Sequence, residues 1–135
     1  FNLASDYFCV LRKNHNKSSS QLTPESYLAS KHISVSNRLI GAVVEDIGLL
    51  QLGINRDVNI RCQSYYAAKE VVKSSHNLLT LPSLIAKQLL DDSLVIEPLP
   101  FNLPHVETHL YWHQSTDHDD ALIWLREAIK QIFNR

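Results

Sequence analysis

Apolar and polar positions along this chain fall in short blocks whose period switches between two and about 3.6, and each switch marks a change of element. YFCVLR, residues 7–12, is aromatic and β-branched and predicts a strand, closed by the polar loop NHNKSSSQ. TPESYLASK then opens a helix, with Thr23 as N-cap and Pro24 at the first helical position, where a missing N–H leaves nothing unpaired. HISVS at 32–36 predicts a short strand. LIGAVVEDIGLLQLG follows with Ile40, Val43, Val44, Ile47 and Leu50 at helical spacing and Gly53 as the expected stop.

Val58, Ile60 and Cys62 alternate with polar neighbours in DVNIRCQS, residues 57–64, as a half-buried strand would. YYAAKEVVKSS predicts a helix capped by Ser64, NLLTLP at 77–82 a buried strand stopped by Pro82, SLIAKQLLDD a helix, and LVIEPLP at 94–100 a strand closed by prolines. After the linker PLPFNLPH, VETHLYWHQ predicts a strand and DDALIWLREAIKQIF a last helix. Its Ala121, Trp124, Leu125, Ala128, Ile129, Ile132 and Phe133 form a wide apolar stripe that needs a partner surface. Regular alternation of strand and helix predicts an α/β sandwich on a largely parallel sheet.

Composition narrows the function classes. The 135 residues suffice for one ordinary core without metal or disulfides. A formal net charge of -1 supplies no field for phosphate backbones or anionic lipid, so this segment is not expected to grip DNA or a membrane by itself. No apolar run approaches the roughly 20 residues that a membrane span needs. Cys9 and Cys62 each sit in a run that reads as a buried strand, which predicts free thiols in a reducing compartment. The N-terminus lacks the basic leader and apolar stretch of a signal peptide, and a first residue of Phe predicts a start within a longer polypeptide.

The densest candidate chemistry is YWHQSTDHDD at 111–120. Zinc held by two histidines on a helix asks for i, i+4 spacing, whereas His113 and His118 are five apart across a strand-to-helix turn, with no Cys nearby. Neither a GxSxG elbow, an HExxH pair nor a glycine-rich phosphate loop occurs, and no metal or cofactor is expected. A structural reading accounts for more of these residues. The strand ends at His113, QST turns, Asp119 caps the helix, and Asp117 and Asp120 favour its positive end.

LTLP at 79–82, LPFNLPHVETHLYWH at 99–113 and the DxAxxWLR pattern at 119–126 resemble the C-terminal half of the effector-binding domain of LysR-type transcriptional regulators, in the NodD/NahR/LeuO-like branch. DYFCVLRKNH at 6–15 and LTPESYLASKHISVS extend the likeness over nearly the whole chain. One departure is Asp120, where that branch usually has proline. The resemblance implies an α/β, type 2 periplasmic-binding-protein-like regulatory domain. Residues 1–104 would be a Rossmann-like lobe II, and 105–135 the return strand and helix that belong to lobe I. A DNA-binding winged helix-turn-helix and the first half of lobe I would then lie outside this sequence. No catalysis is implied, and the expected setting is a cytoplasmic homodimer or homotetramer that meets promoter DNA through the missing domain.

Ligands of open α/β sheets bind beyond the carboxyl ends of strands, which gives Ser34, Ser36, Ser64, Tyr65, Tyr66 and Thr80 as candidates for a small-molecule co-inducer. His113, on the return strand, faces either the cleft or solvent. Ser64 and Thr80 are equally explained as caps and the tyrosines as packing. In this family the helix over 39–52 also helps to form a dimer, which makes Leu39, Val43, Ile47 and Leu49 candidate interface residues, although core packing explains them as well. Two rival readings are a free-standing bilobal solute-binding protein and a metal-dependent α/β enzyme using His113, His118 and the aspartates.

Overall fold

The computed structural model describes residues 1–14, 21–38 and 41–135. The chain divides into two compact units, Tyr7–Pro104 and, separately, Phe1–Asp6 with His105–Arg135. Residues 1–6, expected with the larger unit, fall in the smaller one because they form a strand, β1 (Asn2–Asp6), that pairs antiparallel with the return strand.

In the larger unit β2 (Phe8–Lys13) leads to α1 (Pro24–Ala29) and β3 (Lys31–Val35). α2 (Val44–Gln51), β4 (Asp57–Cys62), α3 (Tyr65–Lys73), β5 (Leu78–Pro82), α4 (Ser83–Leu89) and β6 (Leu94–Pro98) follow. The five strands form one sheet in the order β4-β3-β5-β2-β6. β3 pairs parallel with β4 and β5, whereas β2 is antiparallel to both β5 and β6. The sheet is therefore mixed where a largely parallel one was expected. Crossovers impose the parallel sense on β3, β4 and β5, but β2 meets partners that come much later in the sequence and escapes that constraint.

Local signals explain the helix ends. Thr23 Oγ1 accepts the Ser26 N–H at 3.1 Å while Ser26 Oγ accepts the Thr23 N–H at 2.8 Å, a reciprocal cap before Pro24. Ser64 Oγ accepts the Ala67 N–H at the start of α3. Gly53, at φ +74, ends α2 as expected, and Ile54 donates its N–H back to the Leu49 carbonyl. That helix begins only at Val44, and most of its expected apolar stripe does not face the core: Ile40 lies outside the described residues and Val44, Ile47 and Leu50 are exposed, whereas Val43, Leu49 and the carboxylate-bearing Glu45 are buried. α2 has two apolar faces, and spacing alone selected the outer one.

The sheet buries both surfaces. Cys9, Leu11, Ile33, Leu79 and Leu81 pack against Ala68 and Val72 of α3 and Ala86 and Leu89 of α4. On the other surface Val10 and Leu78 meet Leu22, Tyr27 of α1 and Leu49 of α2, with Phe101 and Leu103 partly covering them. A Cβ at Gly48 would stand 3.2 Å from Leu103 Cδ2, so glycine lets this tail lie close against α2. Neither cysteine is in a disulfide; Cys9 is buried, its thiol 3.6 Å from the Leu81 carbonyl, and Cys62 is half-buried.

In the smaller unit β1 pairs with β7 (Val106–His109), a strand shorter than VETHLYWHQ predicted because its partner ladder runs only from Asn2 to Asp6. A 3-10 turn at Gln114–Thr116 precedes α5 (Asp120–Phe133), whose N-cap Asp119 accepts the Leu122 N–H at 3.1 Å. Lys130 Nζ lies 4.6 Å over the Phe1 ring and the Arg126 guanidinium 4.9 Å over Trp112, so cations of α5 rest on aromatic faces of this unit. Trp124 and Ile132 of the apolar stripe stay exposed at 70% and 63%. No helix among the described residues is long and apolar enough to cross a membrane.

Candidate functional site

At the carboxyl ends of the parallel strands, Ser36 and Ser64 lie just beyond neighbouring β3 and β4. The Ser36 N–H donates to the Cys62 carbonyl at 2.9 Å, which ties the two ends together, and Ser36 Oγ accepts the Arg38 N–H at 3.1 Å. Ser64 holds the N-terminus of α3, which begins with Tyr65. Tyr65 packs partly on the core, where burial foremost and the Glu45 charge next push its hydroxyl pKa up. Tyr66 is 75% exposed, so only one of the pair is free to meet a ligand without rearrangement.

Ser34 and Thr80 lie deeper. Both are fully buried on adjacent strands, because β3 continues to Val35 and β5 to Pro82 beyond them. The Thr80 and Tyr27 hydroxyls are bonded at 2.7 Å, while Ser34 Oγ has no hydrogen-bond partner among the described residues. His113 belongs to the smaller unit, where its Nδ1 accepts the Ser115 N–H at 3.1 Å and so caps the 3-10 turn. Asp117 Oδ1 accepts from Trp112 Nε1 at 2.8 Å. Among the described residues no group of three His, Cys, Asp or Glu side chains is placed to hold a metal.

The candidate interface residues separate similarly. Leu39 lies outside the described residues, and Val43 and Leu49 are buried within their own unit. Ile47 is half exposed, beside Val44 and Leu50 on the outer face of α2.

Sequence reasoning missed a polar layer between the sheet and α2. Arg56, its side chain 1% exposed, donates from Nε to Asp46 Oδ1 at 2.5 Å and holds Nη2 3.7 Å from Glu45 Oε1, so it grips both acids in the first turn of α2. His32 is fully buried, with Nε2 2.7 Å from the Tyr27 carbonyl and its ring centroid 4.4 Å from that of Tyr27. Burial lowers the His32 pKa, opposed by that backbone bond, and raises those of Glu45 and Tyr27. Burial also works against the Arg56 charge, but the Asp46 hydrogen bond and neighbouring charges outweigh it and keep the guanidinium protonated. The available signal was the period-two polar series His32, Ser34, Ser36, whose first two members are buried where a solvent face would be the ordinary reading.

Two clefts flank this unit. One of about 560 Å³ runs along Asp46 and Leu50 of α2 to Arg56 and Val58. Another of about 350 Å³, lined by Tyr7, Phe8, Cys9, Ile96, Pro98 and Leu99 among others, opens where β2 begins and β6 ends. Since β6 runs in the same sense as β3 and β4, the second cleft is at the sheet end that carries Ser36 and Ser64.

A mixed five-stranded sheet covered by helices on both surfaces places the larger unit among α/β domains, and comparison with known proteins specifies the family. The model of the LysR substrate binding domain matches residues 3–134, so the chain belongs to that family. It is 27% identical over 132 residues to the HTH-type transcriptional activator NahR of Pseudomonas putida, covering 97% of this chain and 44% of that protein. The HTH-type transcriptional regulator SyrM of Rhizobium meliloti is 28% identical over 130 residues, covering 93% of this chain and 39% of the relative. The fold of the regulatory domain of MexT, a transcriptional activator in Pseudomonas aeruginosa, superimposes with a TM-score of 0.78 at 23% identity, over 97% of this chain and 65% of that one. The chain thus spans less than half the length of these two curated relatives. It has the type 2 periplasmic-binding-protein-like fold of LysR regulatory domains.

Proposed function

We propose that this segment senses a small-molecule co-inducer within a longer LysR-type regulator and takes part in its oligomerisation. Residues 7–104 form lobe II, and 105–135 with the leading strand contribute to lobe I. Promoter DNA is met by a winged helix-turn-helix elsewhere in the polypeptide, in the cytoplasm, and no reaction is catalysed. The observation that carries this reading is the family match across residues 3–134, on a unit whose strand ends present Ser36, Ser64 and the free Tyr66 ring. A ligand that binds one arrangement of the assembled regulator better than another shifts the population toward it.

The pairing surface is the outer face of α2, Val44, Ile47 and Leu50, in place of the buried Val43 and Leu49. Tyr65→Ala and Tyr66→Ala in the full-length regulator are expected to leave folding intact and to weaken a reporter's response to inducer. An unchanged dose-response in both removes them from the site. Ile47→Glu is expected to shift the full-length protein toward smaller species in sedimentation, and an unchanged distribution rules α2 out as a pairing helix.

A further inference from the structure

The layer under α2 has a chemical property that ligand sensing does not use. His32 Nε2 lies 2.7 Å from the Tyr27 carbonyl, an acceptor only, so Nε2 carries the proton and the buried Nδ1 is left as a bare acceptor with no partner among the described residues. A second proton would have to go on Nδ1. The imidazolium so formed needs an anion, and the groups that act on it among the described residues are Tyr27 from α1, Arg56 ahead of β4, Asp46 from α2 and Asp57 of β4. Asp57 is paired outward with Lys31. Asp46 and Glu45 are held by Arg56, and both belong to the first turn of α2.

We infer that His32 is a proton-operated latch on α2: while neutral it lets Arg56 clamp Asp46 and Glu45, and once protonated it competes with Arg56 for Asp46 and loosens the helix from the sheet. A second buried cation beside the guanidinium is costly unless a carboxylate turns toward it, and any such turn displaces the amino end of α2. The same helix carries the exposed Val44, Ile47 and Leu50, so the latch also governs the presentation of that outer face.

The sign follows from burial. A histidine whose folded pKa lies below its unfolded value contributes stability that is complete above the unfolded value, about 6.5, and is lost as pH falls below it toward the folded value. The experiment is hydrogen exchange on the full-length protein, following residues 44–51 from pH 7.5 to 5.0 after correction for intrinsic rates. Protection of α2 is expected to fall by roughly tenfold for each pH unit between the unfolded and folded values, while α3 and α4 stay protected. His32→Gln, whose amide still donates to the Tyr27 carbonyl, is expected to abolish the pH dependence. An equal fall in α3 and α4, an unchanged α2, or the same fall in His32→Gln overturns the proposal. Should the variant not fold, the His32 ring is followed by NMR in the unaltered protein. Titration below its ordinary value in step with α2 amide shifts supports the latch, and titration without such shifts, or none above pH 5, overturns it.

Discussion

The two surfaces of the five-stranded sheet are built from different chemistry. Toward α3 and α4 the sheet presents Cys9, Leu11, Ile33, Leu79 and Leu81, and the helices answer with Ala68, Val72, Ala86 and Leu89. Toward α1 and α2 the same strands present His32, Ser34 and Thr80 among Val10 and Leu78, and α2 answers with Glu45 as well as Leu49. The apolar surface has one good way to pack and many small contributions. The polar one depends on a few directional partners, and removing a single member leaves charge or hydrogen-bonding capacity stranded. One sheet thus combines a frame with a layer whose geometry a proton can alter.

The sharpest way to break that contrast is Arg56→Ala, which strands Glu45 and Asp46 beneath α2 and is expected to cost about 3–5 kcal/mol in urea unfolding. Adding Glu45→Gln and Asp46→Asn should recover a large part of it. If the single substitution loses less than about 1 kcal/mol, the acids relax into water and the layer is not a clamp. Leu79→Ala on the apolar surface comes next, at about 3 kcal/mol from lost transfer energy and a residual cavity, with no change in pH dependence. Thr80→Val, which keeps volume but removes the partner of the Tyr27 hydroxyl, is expected to cost about 1–2 kcal/mol; a neutral result would mean that Tyr27 finds another acceptor. Ser64→Ala is the smallest, about 1 kcal/mol from the lost α3 cap, and should appear as faster exchange in the first turn of that helix.

The same contrast explains what could be read in advance. Thr23-Pro24, Ser64, Asp119 and Gly53 are local signals whose partners lie within a few residues, and each ends its helix where the sequence indicates. Alternation of Val58, Ile60 and Cys62 depends only on the pleat and appears as predicted. The reversal of β2 and the pairing of Asn2–Asp6 depend on partners roughly seventy and a hundred residues away in sequence, and no local pattern encodes them. Ser34 and Thr80 were selected as strand-end hydroxyls, yet each strand runs on past them and carries the side chain into the interior. Arg56, between a helix stop and a strand, reads as an ordinary loop charge until Glu45 and Asp46 are folded against it. The family likeness carries the fold, while the side-chain chemistry beneath α2 exists only once distant segments are folded together.

The reversed strand β2 also bears on how this unit is made. It leaves the ribosome before any other strand of its sheet, yet its neighbours β5 and β6 are not complete until residue 98. At roughly 5–20 residues per second, a wholly buried run of Phe8, Cys9, Val10 and Leu11 therefore waits several seconds for its partners. A nascent chain stalled before β5 holds that run unpaired, which exposes YFCVLR to misassembly during translation.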